Sequence, residues 1–130
     1  MKTLVRNASF LLAFFIASSP SFAQTGKIEK ATIPTVTLNN GVKMPKLGFG
    51  TLDLKDSIGI NSVANAILAG YRLIDCAAIY GNEEEVGKGI KKSCIDRKEL
   101  FISSKLWISD MGYETTKRGF EETIKKWVYK

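Results

Sequence analysis

The chain has 130 residues, enough for one small domain, and it is 45% hydrophobic and 25% charged, which is ordinary for a globular protein. Its formal net charge is +6, but both signs are mixed along the chain and no basic run is interleaved with aromatic residues, so we expect no nucleic-acid partner. The chain has no histidine, which excludes Ser-His-Asp and Cys-His catalytic sites within it and the zinc sites that need imidazole.

The first 23 residues contain the three parts of a secretory signal peptide. Lys2 and Arg6 form a basic start, residues 8–17 are apolar, and Ser21-Phe22-Ala23 is a small-x-small cleavage site. The apolar stretch is shorter than the roughly 20 residues that a membrane span needs. We therefore expect an exported protein, periplasmic or secreted, with no membrane association after cleavage. If the signal is not used, the protein is expected in the cytoplasm.

Residues 24–34 are predicted to form a polar leader, and residues 35–130 a single partial domain. The domain begins with a predicted β-hairpin. Two short β-prone runs, at 35–38 and 42–44, flank the sequence Asn39-Asn40-Gly41, which supplies the positive-φ residues of a tight turn.

The first strand–helix pair follows this hairpin. A short strand is predicted over 47–51, and Asp56 or Ser57 can cap a helix that runs to about Ala69. Gly70 is placed to end that helix. Five apolar residues are predicted to share its buried face: Ile60, Val63, Ala64, Ile67 and Leu68.

The second strand is predicted over 71–75, and the second helix runs from Glu83 to about Lys92. Asn82 followed by Glu85 matches a capping box at the start of this helix. Three consecutive glutamates open the helix, and we interpret them as complementing its dipole rather than as metal ligands. No metal site is therefore expected.

The third strand is predicted over 100–105 and the third helix over 114–127. The apolar stripe of this helix consists of Phe120, Ile124 and Trp127. Strand and helix thus alternate three times, which predicts an α/β fold with a parallel sheet covered by helices.

Three polar side chains lie at or just past the C-terminal ends of the predicted strands. Asp75 ends the second strand, Tyr80 follows it after a short turn, and Lys105 ends the third strand. The carboxyl ends of parallel strands meet on the face where α/β proteins assemble their chemistry. We therefore expect this acid, phenol and amine to lie close together.

The run 70–87 has a specific spacing: Gly-Tyr-Arg, two apolar residues, an aspartate, a small pair, then a glutamate and Val-Gly. It resembles the signature of the aldo-keto reductases. The resemblance extends to Leu-Gly-Phe-Gly-Thr at 47–51 and Ser-Lys-Leu-Trp at 104–107, and it covers roughly residues 35–127. It implies an N-terminal hairpin plus the first three βα units of a (β/α)8 barrel of the TIM type, truncated after the third unit.

The resemblance also implies NADPH-dependent reduction of aldehyde or ketone carbonyls, with a small-molecule carbonyl compound as substrate. Carbonyl reduction needs a proton donor at the carbonyl oxygen. A phenol is a weak acid near neutral pH, and a neighbouring ammonium makes it a better donor. The resemblance therefore implies Tyr80 as general acid, Lys105 as the cation that activates it, and Asp75 as the anchor of that cation.

Further roles follow from the resemblance alone. Trp107 is expected to line the substrate pocket, although it could simply cover the barrel rim. Leu52 stands where many relatives have an aromatic pocket residue. The residues that approach the nicotinamide, together with Asp75, are Gly48, Phe49, Gly50 and Thr51, although these also fit a tight barrel turn.

The resemblance places the grip on the NADP(H) phosphates in the second half of the barrel. We therefore expect the 130-residue chain alone to bind NADP(H) weakly and to be inactive. A non-catalytic fragment and a binding or regulatory module on the same scaffold are the alternatives. The two cysteines, Cys76 after a strand and Cys94 after a helix, fall at opposite ends of such a barrel and are expected to be free thiols.

Overall fold

The computed structural model of the chain describes residues 33–127. The predicted signal peptide at 1–23 lies outside the described residues, and so do residues 24–32 of the predicted leader. None of the helices in the described part of the chain combines the length and the apolar character needed to cross a membrane.

The described residues contain five short strands, three helices and three 3₁₀ turns. The strands are β1 (Thr35–Thr37), β2 (Lys43–Pro45), β3 (Gly48–Gly50), β4 (Leu73–Asp75) and β5 (Phe101–Ser103). The helices are α1 (Asp56–Leu68), α2 (Glu83–Ser93) and α3 (Tyr113–Trp127). The 3₁₀ turns are Ala78–Tyr80, Arg97–Glu99 and Ile108–Asp110.

The predicted hairpin is confirmed. Strands β1 and β2 pair antiparallel, with Val36 opposite Met44. Gly41 closes the turn at φ = 82°, and its N–H donates to the carbonyl of Leu38 at 2.9 Å. A glycine reaches this left-handed conformation without strain, which explains why the Asn-Asn-Gly sequence marks the turn.

Strands β3, β4 and β5 form a parallel sheet in that order, as the three strand–helix pairs predict. Phe49, Ile74 and Ile102 lie side by side in the middle of the three strands. They belong to the face that packs against the helices. The hydrophobic core between this face and the helices consists of Val63, Ile67, Ile74, Cys76, Val86, Ile90, Leu100 and Trp127, with Phe49 and Ile102 packed against it.

Helix α1 ends close to the predicted residue, with Ala69 at its C-cap and Gly70 in a left-handed conformation, but its N-cap and one of its buried residues differ from the prediction. Neither Asp56 nor Ser57 caps it, because Lys55 occupies the N-cap position in an extended conformation and makes no side-chain cap bond. Leu68 is 64% exposed, so its assignment to the buried face is wrong. The buried face of α1, which packs against α2, includes Ala66 instead of Leu68. Its buried residues are Gly59, Val63, Ala64, Ala66 and Ile67.

Helix α3 shows the same kind of difference. Phe120 is 63% exposed and does not belong to the buried stripe, whereas Trp127 is buried and Ile124 packs against the core, as predicted. The polar Thr123 is buried in place of Phe120. Its hydroxyl donates to the carboxylate of Glu83 on α2, and this bond offsets the cost of burying a polar group.

Helices α1 and α2 approach closely where Gly89 faces α1. A Cβ atom at Gly89 would lie 2.7 Å from the Cβ of Val63 and 2.8 Å from the carbonyl oxygen of Ile60. The latter is backbone, which cannot move without displacing the helix. A Cβ at Gly119 on α3 would meet only a methyl group of Leu106 at 2.9 Å, at the end of a flexible side chain.

We expect Gly89→Ala to lower the free energy of unfolding by about 1–3 kcal/mol, because the added methyl overpacks the interface between α1 and α2. Gly119→Ala is the matched control, with a change between zero and a gain of about 1 kcal/mol from helix propensity. Urea unfolding followed by circular dichroism measures both. Equal stability of the two variants would contradict this packing.

Candidate active site

The register of the parallel sheet brings three residues to one level at the carboxyl ends of the strands. Gly50 pairs with Asp75, and Asp75 pairs with Ser103. The Ser103 hydroxyl donates to Asp75 Oδ1 at 2.7 Å. The backbone N–H and the hydroxyl of Thr51 both donate to the carbonyl oxygen of Asp75, each at 3.0 Å. The aspartate is therefore held by the neighbouring strands on both sides.

Lys105 completes the surroundings of Asp75, as the sequence predicts. Its Nζ donates to Asp75 Oδ2 at 2.6 Å and to the carbonyl oxygen of Cys76 at 3.0 Å. The two charged side chains are 53% and 39% exposed. An ion pair this open to solvent adds little stability. Its main effect is to fix the position of the ammonium group.

Tyr80 also lies near that ammonium group. It ends the 3₁₀ turn Ala78–Tyr80, which Gly81 closes in the left-handed conformation at φ = 64°. The N–H of Ala78 donates to the carbonyl oxygen of Lys105 at 3.1 Å, so the turn is attached to the end of β5. The Lys105 Nζ lies 5.5 Å from the centroid of the Tyr80 ring, within the range of a cation–π contact.

The electrostatics of the pair follow from these contacts. Partial burial acts to raise the pKa of Asp75, but the hydrogen bonds from Lys105 and Ser103 and the charge of Lys105 outweigh it and lower that pKa below its ordinary value. The hydrogen bond to Asp75 raises the pKa of Lys105, against a smaller opposing effect of burial. At neutral pH the site therefore holds a carboxylate and an ammonium next to a phenol.

Asn82 is a site residue whose predicted role in a capping box is wrong. Its amide Nδ2 donates to the carbonyl oxygens of Thr51 at 2.6 Å and Leu54 at 2.9 Å, and its Oδ1 accepts a hydrogen bond from Cys76 Sγ at 3.5 Å. The residue is completely buried. The predicted capping box is absent because these bonds use the side chain, which joins the loop after β3 to the loop after β4.

Glu83 is the second residue whose role differs from its sequence interpretation. It opens α2, where a carboxylate complements the helix dipole, but it is 2% exposed and accepts hydrogen bonds from Ser104, Thr123 and Lys126. The described residues contain no group of three His, Cys, Asp or Glu side chains that could hold a metal ion.

The four residues predicted to approach the nicotinamide differ in their accessibility. Gly50 is exposed, with no atom within 4 Å of the position that a Cβ would take, so its backbone is open to a flat ligand. Thr51 is completely buried. Phe49 faces the helices, and Gly48 packs so closely on Leu73 that a side chain would clash. Gly50 is therefore the one of the two exposed glycines that leaves open space on its side-chain side.

The two predicted substrate residues are both accessible. Leu52 follows Thr51 directly and is 61% exposed, and Trp107 lies two residues after Lys105 and is 41% exposed. Exposed apolar side chains at the rim of a polar site are suited to contact a small organic ligand.

Both cysteines are free, as predicted. Cys76 is buried beside Asp75, and its burial raises the pKa of the thiol above its ordinary value, which keeps it protonated at neutral pH. Cys94 is exposed in a left-handed conformation at the end of α2. The two thiols therefore differ in their access to reagents.

A sequence model of the Aldo/keto reductase family matches residues 46–128. The chain belongs to the aldo/keto reductase family. It is 52% identical to the glyoxal reductase of Bacillus subtilis over 93 residues, which are 71% of this chain and 34% of that protein. It is 47% identical to the morphine 6-dehydrogenase of Pseudomonas putida over 91 residues, which are 70% of this chain and 31% of that protein.

Solved aldo/keto reductases share the fold. The enzyme of Brucella melitensis matches with a TM-score of 0.70 and 48% identity, covering 74% of this chain and 38% of that one. The aldo-keto reductase of Bombyx mori in complex with NADP matches with a TM-score of 0.67 and 34% identity, covering 75% and 35%. The chain spans about a third of the length of these relatives. It has the hairpin and three βα units of their barrel.

The pKa of Asp75 provides a direct test of the site geometry. We expect the Asp75 carboxyl carbon to titrate below the ordinary range of an aspartate in an NMR titration. In Lys105→Met that pKa should rise, because a hydrogen bond and a positive charge are lost while the effect of burial remains. Lys55→Met, a substitution at the N-cap of α1, is the control and should leave the titration unchanged.

The sign of the linked stability effect follows from the same shifts. The lowered pKa of Asp75 stabilises the fold above the ordinary aspartate pKa, and this contribution disappears as the pH falls through the lowered value. The raised pKa of Lys105 stabilises the fold below the ordinary lysine pKa, and this contribution disappears as the pH rises through the raised value. An Asp75 pKa that is the same with and without Lys105 would contradict the ion pair.

Proposed function

We propose that this chain provides the proton-donor side of an NADPH-dependent carbonyl reductase that acts on small aldehydes or ketones. One observation carries the proposal: the Lys105 ammonium binds Asp75 at 2.6 Å and also lies 5.5 Å from the centroid of the Tyr80 ring. This arrangement brings one cation close to both a carboxylate and a phenol at the carboxyl edge of a parallel sheet, where a general acid for carbonyl chemistry belongs.

The residues divide the work of proton transfer. The Tyr80 hydroxyl gives its proton to the carbonyl oxygen as negative charge develops there, and the Lys105 ammonium stabilises the phenolate that remains. Asp75 holds the ammonium in place, and Ser103 and Thr51 hold Asp75. Preorganised charges of this kind act without a cost of reorganisation during the reaction.

The site also fits a nicotinamide cofactor. The open backbone at Gly50, level with Asp75 in the sheet, leaves room for a flat ring beside the carboxylate. NADPH, when bound, supplies the hydride. Leu52 and Trp107, which closely follow Thr51 and Lys105 in the chain, are exposed and would contact the substrate. The relatives support this assignment, since one is named a glyoxal reductase and another was solved in complex with NADP.

We also propose that the 130-residue chain alone binds NADPH weakly and is inactive, because it spans about a third of the length of its relatives. We also propose export, on the basis of the predicted signal peptide at 1–23, which lies outside the described part of the chain.

Because the chain spans about a third of the length of its relatives, activity is best measured in a completed barrel. In that protein, residues 33–127 of this chain replace the matching segment of the Bacillus subtilis glyoxal reductase.

In the completed barrel, we expect Tyr80→Phe to lower kcat by roughly 10²–10⁴-fold, because the proton donor is lost. The Kd of NADPH, measured by fluorescence titration, should change little, since the ring remains. Tyr113→Phe is the matched control, because that phenol is 85% exposed on α3, and it should keep full activity.

Three outcomes separate the possible functions. Near-full turnover in Tyr80→Phe would remove Tyr80 from the mechanism. NADPH binding without carbonyl reduction by the parent completed barrel would favour a binding or regulatory module. Neither binding nor turnover would favour a non-catalytic fragment.

A further inference from the structure

The end of strand β5 is held by two different carboxylates. Ser103 is the last residue of β5 and Ser104 follows it, and their hydroxyls bond to carboxylates on two different elements, Asp75 at the end of β4 and Glu83 at the start of α2. The Ser103 hydroxyl donates to Asp75 Oδ1 at 2.7 Å, and the Ser104 hydroxyl donates to Glu83 Oε1 at 3.1 Å. Lys105 follows these two serines directly. The position of its backbone is therefore set by both bonds.

Glu83 is the more deeply buried of the two carboxylates, with a side chain that is 1% exposed. Its Oε1 also accepts a hydrogen bond from Thr123 at 2.9 Å, and its Oε2 accepts one from the Lys126 ammonium at 2.8 Å. A buried carboxylate is tolerated only when its oxygens are paired in this way. Two branches thus leave Glu83, one to β5 through Ser104 and one to α3 through Thr123 and Lys126.

The branch to β5 connects the two segments that carry the site. Glu83 lies three residues after Tyr80, and Ser104 lies immediately before Lys105. The Glu83–Ser104 bond therefore holds the segment with the phenol and the segment with the ammonium at a fixed separation. It acts on the helix side of the sheet, and the Asp75–Lys105 bond acts on the opposite side.

We propose that Glu83 is a positioning residue for Lys105 and that it acts through the hydroxyl of Ser104. The effect of Glu83 on turnover rests on the proposed function. Its effect on the position of Lys105 relative to Asp75 does not depend on that function. The charge of Glu83 is balanced by Lys126, whereas its Oε1 atom orients the end of β5. Positioning therefore needs the acceptor oxygen and not the negative charge.

Four substitutions separate positioning from simple structural support. Ser104→Ala cuts only the branch to β5 and leaves Glu83 paired with Thr123 and Lys126. Glu83→Ala removes both branches. Glu83→Gln keeps an oxygen that can accept the Ser104 bond, and Lys126→Met removes the charge partner while the acceptor remains. Ser109→Ala in the loop after β5 is the matched control, because that hydroxyl is exposed and donates a hydrogen bond to its neighbour Asp110.

The first readout is the Asp75 carboxyl titration by NMR in the full 130-residue chain, which requires no activity. Ser104→Ala and Glu83→Ala should raise the pKa of Asp75, because a displaced Lys105 no longer donates to it fully. In Glu83→Gln and in Ser109→Ala the pKa of Asp75 should stay close to that of the unsubstituted chain. If Ser104→Ala titrates like Ser109→Ala, the proposal is overturned, whether or not Glu83→Ala folds.

The second readout is turnover in the completed barrel. Ser104→Ala should lower kcat by up to about 10²-fold with the KM for NADPH within about two-fold, because displacement of a catalytic group by about 1 Å can cost that much. Glu83→Gln should recover most of the loss. Lys126→Met should likewise keep most of the turnover, because the acceptor oxygen remains. A loss in Glu83→Gln as large as that in Glu83→Ala would show that the site needs the negative charge and not the acceptor oxygen, and would overturn the proposal. A shifted Asp75 titration together with an inactive parent barrel would reject the proposed function and leave the positioning role standing.

Discussion

The parallel register of β3, β4 and β5 is the constraint on which the site depends. It places Gly50, Asp75 and Ser103 at one level, and the loops that follow these residues carry Thr51, Tyr80 and Lys105. A shift by one residue would turn Asp75 toward the helices and Ile74 toward the open face. The apolar layer of Phe49, Ile74 and Ile102 packs against the helices and prevents that shift. The hydrophobic core therefore fixes the geometry of the polar site.

The site is then assembled by a few buried polar bonds that link neighbouring loops. Asn82 joins the loop after β4 to the carbonyl groups of Thr51 and Leu54 in the loop after β3. Glu83, the next residue, joins the same loop to Ser104 at the end of β5. Two adjacent residues at the start of α2 thus attach the loop that carries Tyr80 to both of its neighbours. Exposed charges such as Lys105 can be positioned accurately only on a support of this kind.

The hairpin, the three strand–helix pairs and the proximity of Asp75 to Lys105 could be predicted, because turn residues, alternation and strand ends are local features of the sequence. Asn82 and Glu83 could not be interpreted in this way. Apart from Cys76, their partners lie between 21 and 43 residues away in the chain, whereas local patterns, the capping box for Asn82 and the helix dipole for Glu83, predict different roles. Leu68 and Phe120 were misplaced because helical periodicity alone does not determine which face of a helix meets its neighbour.

The central claim is that Tyr80 and Lys105 act as one proton-donating unit, and a double-mutant cycle in the completed barrel tests it most directly. We expect Tyr80→Phe and Lys105→Met each to lower kcat strongly, and the double variant to lose little more than the worse single variant, because each change disables the same proton transfer. Losses that multiply in the double variant would show that the two residues act independently, and would contradict the account of the site.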